Sequence, residues 1–154
     1  MTQKVDWTDR YDEEIAQWML RESRAPEGGD SGLPDYLGIR FVEVGPGHCV
    51  AELIVAEHLL NPFGAAHGAV LASLVDHVLG SAVLPIVPRG TWPATLEFKL
   101  NYMAPTRLGT LRATARVLSM SSRTAVVAVD CDNDGRPVGS GLGTIALTPP
   151  KTPS

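Results

Sequence analysis

The chain has 154 residues, 44% of them hydrophobic and 19% charged, which is the length of one domain and the composition of a globular one. Its net charge of −4 argues against nucleic acid as a partner, because phosphate binding needs concentrated positive charge. The first residues, MTQKVDWTDRYDEE, contain no apolar run and do not read as a signal peptide. No membrane is expected either: a span over Ala69–Val87 would hold Asp76 and His77 near the bilayer midplane, at about 3 kcal/mol each. The expected location is the cytoplasm, where the two cysteines, Cys49 and Cys131, would be free and buried.

In chain order, residues 8–22 read as a helix. Trp7, Tyr11, Ile15, Trp18 and Met19 fall on one docking stripe, and Asp6 or Thr8 is the expected cap. A Gly-rich stretch, RAPEGGDSG at 24–32, is expected to be mobile, and Pro34–Leu37 a single turn. Ile39–Val44 and Cys49–Val55, split by Gly-Pro-Gly, predict a hairpin.

The stretch Asn61–Leu84 follows. After the turn residues Asn61, Pro62 and Gly64, its apolar residues recur at three- and four-residue spacings from Val70 to Ala82, which predicts a helix of about five turns. The positions between are mostly Ala, Gly and Ser, so the helix is expected to be buried on nearly all sides. Four more strands are predicted beyond it: Ala94–Met103, Leu111–Met120, Thr124–Cys131 and Val138–Leu147. In the first, Thr95, Glu97, Lys99 and Asn101 are expected on one face and Leu96, Phe98, Leu100 and Tyr102 on the other. The tail 149–154 is expected to be disordered. The order gives an α+β fold, six antiparallel strands curled around one long central helix, with an extra N-terminal helix in residues 1–33 and the main domain over 34–148.

Several residue patterns are set aside as phosphate, metal or acyl-serine sites. Gly45-x-Gly47 and Gly139-x-Gly141-x-Gly143 precede no helix and so form no phosphate cradle. The histidines 48, 58, 67 and 77 show no metal-ligand spacing, so no metal is expected. No serine sits in a G-x-S-x-G elbow.

Asp76 and Gly68 are different. An acid within an apolar helix is costly unless something employs it. Gly68 stands where that helix begins; its amide has no intrahelical acceptor and is a ready oxyanion donor, open to close approach. The two lie eight residues apart, about 12 Å along the axis and about 80° around it, too far to act on one carbonyl. A second copy of the helix running antiparallel would place the Asp76 of one subunit opposite the Gly68 of the other, so the spacing fits a composite site in a two-fold dimer.

Asn61-x5-His67-Gly68-Ala69, Asp76 eight residues after the glycine, Asn101-Tyr102-Met103-Ala104-Pro105 and a closing strand with Gly143-Thr144 together resemble the hot-dog-fold acyl-CoA thioesterases of the phenylacetate-pathway (PaaI-type) branch, over roughly residues 36–148. Ala69 stands where the family more often has a second glycine. The resemblance implies Asp76 as catalytic carboxylate, either general base or nucleophile, and the Gly68 amide as the group polarising the thioester carbonyl. It implies Asn61 as the holder of the nucleophilic water or a group that orients the site, His67 as a donor near the thioester sulfur or a support of the loop, and Thr95 as an assistant to the carboxylate. It further implies an acyl-CoA substrate, with coenzyme A as part of that substrate and no separate cofactor, and a homodimer at least, assembled into a homotetramer as a dimer of dimers. Arg123, after Ser121-Ser122, is a candidate for the coenzyme A phosphates, as are Arg89 and Arg107. The rival readings are a hot-dog enoyl-CoA hydratase or dehydratase, whose proline-rich loop after the histidine is missing here, and a non-catalytic acyl-CoA-binding module.

Overall fold

A computed structural model describes residues 5–23 and 32–150. The Gly-rich stretch at 24–31 and residues 151–154, where mobility was expected, lie outside the described residues.

The N-terminal helix begins later than its sequence suggests. Thr8–Arg10 form a single 3-10 turn closed by the Tyr11 amide on the Thr8 carbonyl at 3.1 Å, and Asp6 before it accepts from the Thr8 amide at 3.0 Å. Tyr11 then returns to extended backbone, so the helix proper, α1 (Glu13–Glu22), starts afresh with its own cap. That cap is Asp12, not Asp6 or Thr8: its side chain accepts from the amides of Glu14 and Ile15. Ala16 and Met19 set the buried face, and Trp18 rotates out to 49% exposure instead of joining the stripe. Trp7 is buried, its indole N–H donating to the Val117 carbonyl at 3.3 Å. Arg89 holds α1 from the far side, with Nε 2.6 Å from Asp12 Oδ2 and Nη2 2.6 Å from Glu14 Oε2. This guanidinium is therefore committed to the helix.

A one-turn helix, α2 (Leu33–Leu37), leads into β1 (Arg40–Gly45) and β2 (His48–Val55). They join as the expected hairpin through Pro46-Gly47, with Gly47 at φ +68. The central helix, α3 (Gly68–Ser81), is followed by β3 (Trp92–Tyr102), β4 (Gly109–Met120), β5 (Thr124–Asn133) and β6 (Arg136–Thr148). The six strands form one antiparallel sheet in the order β1-β2-β4-β5-β6-β3. β3, though central in sequence, is an edge strand.

The inner face of the sheet is built from small residues where α3 crosses it. Cys49, Ala51, Ala113, Ala115 and Ala125 are all at most 1% exposed, which lets the helix backbone come close; the Cys49 thiol reaches the Val78 carbonyl at 3.4 Å. Leu74, Val75, Val78 and Leu79 fill the space between, fully buried. On β6 the alternate glycines serve the same end. A Cβ on Gly143 would stand 2.8 Å from Leu79 and 3.0 Å from Phe98, and one on Gly141 would stand 2.6 Å from the Lys99 carbonyl oxygen. They are strand glycines that admit the helix and a neighbouring strand. Both cysteines are free and buried, and burial pushes both thiols well above their usual range, which removes them as nucleophiles. Gly68–Ile86 is long and apolar enough to cross a membrane, but 61% of that window is packed inside this fold.

Candidate active site

Asn61, Pro62, Phe63 and Gly64 form a tight loop because the Asn61 side chain takes the place of a backbone acceptor. Its Oδ1 accepts from the Phe63 amide at 2.9 Å and the Ala65 amide at 3.3 Å, and Gly64 turns at φ +75. The Asn61 amide NH2 is the part of the side chain left to a ligand. The chain then enters α3 through His67, whose imidazole caps the helix: Nδ1 accepts from the Ala69 amide at 3.1 Å. Since Nδ1 is an acceptor, the neutral ring carries its proton on Nε2 and presents a donor on its outer side. The Val70 amide goes to the His67 carbonyl at 2.9 Å. The Gly68 amide is left without an acceptor among the described residues, at the positive end of a 14-residue helix.

These groups line one cavity of about 390 Å3, completed by Leu71 and the segment Tyr102–Thr106. The Tyr102 hydroxyl donates to the Gly68 carbonyl at 2.9 Å, which fixes the Gly68–Ala69 peptide whose N–H donates to His67 Nδ1. Ala66 N–H donates to the Thr106 carbonyl at 2.8 Å and Arg107 Nη1 to the Gly64 carbonyl at 3.0 Å, so the two loops are laced together. Asn133, buried at 8%, anchors the second loop: its Oδ1 accepts from Arg107 N–H at 2.7 Å and its Nδ2 donates to the Thr110 carbonyl at 3.1 Å. Tyr102 was legible in the sequence only as part of a motif, and Asn133 only as a turn residue, because both act through long-range hydrogen bonds.

Asp76 is not in this cavity. It is exposed on a stripe of α3 turned away from the sheet, with Ala69, Ala72, Ser73 and Gly80, and it opens on a separate cavity beside α2. The expectation of a helix buried on nearly all sides is thus corrected. Small residues permit close packing, but they do not say against what; here they form a face that the chain's own sheet leaves open.

Thr95 lies on the opposite face from the one its alternation suggests. It pairs with buried Ile145, and a bulge between Thr95 and Glu97 throws Leu96 out to 62% exposure. Directly paired residues share a face, so Thr95 points to the helix side with Phe98, Leu100 and Tyr102, while Glu97 faces out and accepts from the Thr144 hydroxyl at 2.6 Å. Arg123 is exposed at the β4–β5 turn, beside the end of β6 where Leu147 N–H donates to its carbonyl at 2.8 Å. Tyr102 pairs with Gly139, at the other end of that strand, roughly 25 Å away at strand rise. Of the three candidate arginines, then, Arg107 is the one held beside the His67 loop within one chain, through its bond to the Gly64 carbonyl. Among the described residues no three His, Cys, Asp or Glu side chains gather as metal ligands.

A curled antiparallel sheet around a long helix, with a capped, acceptor-less helix start facing a cavity, defines a hot-dog fold. The sequence profile of the Thioesterase superfamily matches residues 63–140. The human protein called acyl-coenzyme A thioesterase 13 is 33% identical over 96 residues, 62% of this chain and 68% of that one. Among solved structures, a conserved protein of Pseudomonas aeruginosa superposes with a TM-score of 0.73 at 33% identity, over 80% of this chain and 98% of that one. The PaaI protein of the E. coli phenylacetic acid degradation operon shares the fold at a TM-score of 0.77 and 21% identity, over 90% of this chain and 96% of its own. The chain belongs to the thioesterase superfamily, with a hot-dog fold of PaaI type, and is a thioester hydrolase.

Proposed function

We propose that this protein hydrolyses acyl-CoA thioesters, in the cytoplasm, at a site shared by two subunits. The carrying observation is the division of the chemistry within one chain: the free Gly68 amide and the His67 donor face one cavity, and Asp76 faces another on the same helix. Two features favour the two-fold partner that would reunite them. The open stripe of α3 is made of small residues, and β3 leaves an edge beside it with Trp92, Leu96 and Tyr102 exposed at 71%, 62% and 56%. A homotetramer built from two such dimers is the larger assembly we infer.

In this mechanism the thioester carbonyl oxygen takes the place of the missing acceptor at Gly68 N–H. Water, held by the Asn61 amide, attacks the carbonyl carbon while Asp76 of the partner subunit takes its proton. Alternatively the same carboxylate attacks directly and water hydrolyses the resulting anhydride. Charge gathers on the oxygen in the tetrahedral state, where loss of a single donor costs about 3 kcal/mol. The C–S bond then breaks, and the departing thiolate takes a proton, for which His67 Nε2–H is placed at the cavity wall. Thr95, on the helix side of β3, is assigned to orienting the carboxylate. Coenzyme A enters as part of the substrate, and Arg107 is better placed than Arg123 to meet its phosphates from the same chain.

Thiol release from a panel of acyl-CoAs tests the reading. Asp76→Asn is expected to abolish release while the sedimentation behaviour of the assembly stays that of wild type. Near wild-type turnover by that variant would sink the assignment. Hydration of an enoyl-CoA without thiol release would favour a hydratase, and binding without either product a carrier.

A further inference from the structure

Tyr102 ends β3 on a stretch tied to β6: it pairs with Gly139, and Met103 N–H donates to the Val138 carbonyl at 2.9 Å. The tyrosine is therefore carried by the sheet, not by the loop it touches. From there its ring reaches the start of α3. A Cβ on Gly68 would stand 3.4 Å from both Cε1 and the hydroxyl oxygen of Tyr102, so the hydroxyl edge of the ring lies against that glycine. The hydroxyl donates to the Gly68 carbonyl at 2.9 Å, and the amide of that same peptide, Ala69 N–H, donates to His67 Nδ1 at 3.1 Å. Tyr102, the Gly68–Ala69 peptide and His67 thus form one directed chain of hydrogen bonds. It ends at Nε2, which bonds to no described residue, on a ring that lines the cavity.

The direction of that chain has a chemical consequence. His67 is exposed, and a neutral imidazole can carry its proton on either nitrogen. A donor held toward Nδ1 selects the tautomer with the proton on Nε2. Ala69 N–H is that donor only while its peptide plane points at the ring, and Tyr102 pins the plane from the oxygen side. Accepting a hydrogen bond at its oxygen also polarises the peptide, which strengthens its N–H as a donor in turn. The other tautomer would turn a lone pair, not a proton, toward the cavity, and a lone pair repels a departing thiolate.

We propose that Tyr102 is a positioning residue for thioester hydrolysis: acting through the Gly68–Ala69 peptide, its hydroxyl holds His67 in the form that presents N–H to the departing sulfur. In this role it touches no reacting atom. The proposal rests on the reading in which His67 Nε2–H serves the leaving group.

The test combines nitrogen NMR of the imidazoles with turnover, both on the full chain. The His67 resonances are assigned by their loss in His67→Asn. In wild type they should show one neutral tautomer, protonated at Nε2; in Tyr102→Phe, which keeps the ring against Gly68, the Nδ1–H form should become populated. Nδ1–H as the main form in wild type would overturn the proposal with no need for Tyr102→Phe to fold. On the acyl-CoA that wild type hydrolyses fastest, Tyr102→Phe should lower kcat about tenfold, the scale of one hydrogen bond, and leave KM within about twofold. That loss should vanish in a His67→Ala background, where the chain of bonds has no end to act on. A loss that persists in His67→Ala, or His67 nitrogen shifts that Tyr102→Phe leaves unmoved, would overturn the proposal and reduce Tyr102 to packing on the helix start. Wild-type kcat in Tyr102→Phe beside a crippled His67→Ala would overturn it while leaving the role of His67 intact. Wild-type kcat in His67→Ala would overturn both.

Discussion

The imidazole of His67 caps the central helix by accepting the Ala69 amide proton at 3.1 Å, and the same bond turns its Nε2–H outward. One side chain thus supports the helix start and offers a donor to the site. Asparagine can reproduce the cap, but its carboxamide N–H is too weak an acid to give a proton to a leaving thiolate. His67→Ala should lose about 1 kcal/mol of stability in urea denaturation, and His67→Asn should recover most of it. Both should lower kcat, by about a hundredfold if the donor serves the leaving group. Wild-type kcat in His67→Asn would count against that role.

Gly141 has no room for a side chain, because its Cβ would stand 2.6 Å from the Lys99 carbonyl oxygen. The obstruction is backbone and cannot swing away, so Gly141→Ala must push β3 off β6. A loss of about 2 kcal/mol is expected from overpacking. At Gly68 the added methyl would meet the Tyr102 ring at 3.4 Å, an ordinary contact. Gly68→Ala should therefore fold like wild type in the same denaturation experiment.

Trp7 precedes the first helix yet is buried against the main sheet, donating to the Val117 carbonyl. Trp7→Ala leaves a cavity and an unpaired carbonyl, and should cost about 3 kcal/mol. An unchanged urea midpoint would show that the N-terminal segment docks without contributing to the domain.

His77 gives the fold a pH dependence of definite sign. Burial lowers its folded pKa below the ordinary value of 6.5, with Asp76 opposing, so the unfolded chain binds the proton more readily. Stability should fall as pH drops below about 6.5, and this contribution should level off once the folded ring is also protonated. Urea midpoints at pH 7.5 and 5.5 check it. His77→Gln should show a smaller difference between the two than wild type does.

Much of the fold was legible because local periodicity and burial agree. The six strands and the central helix stand within a few residues of where alternation and three-to-four spacing put them. The misreadings have physical causes. A 3-10 turn intervened at Thr8–Arg10, so the cap passed to Asp12. A single bulge at Leu96 reversed the facing of Thr95, and nothing in an alternating sequence marks where a ladder slips. Arg89 looked like a loose loop cation until its acidic partners on α1 came within reach.

By itself, then, the sequence determined which segments are strands and helix, and which helix start would carry an unsatisfied amide, since both follow from side-chain pattern and chain geometry over a few residues. Only the tertiary structure decided that Asp76 faces out beside α2, that Tyr102 and Asn133 brace the His67 loop, and that Thr95 turns toward the helix. Those outcomes depend on contacts between residues far apart in the chain, whose energies no local pattern records.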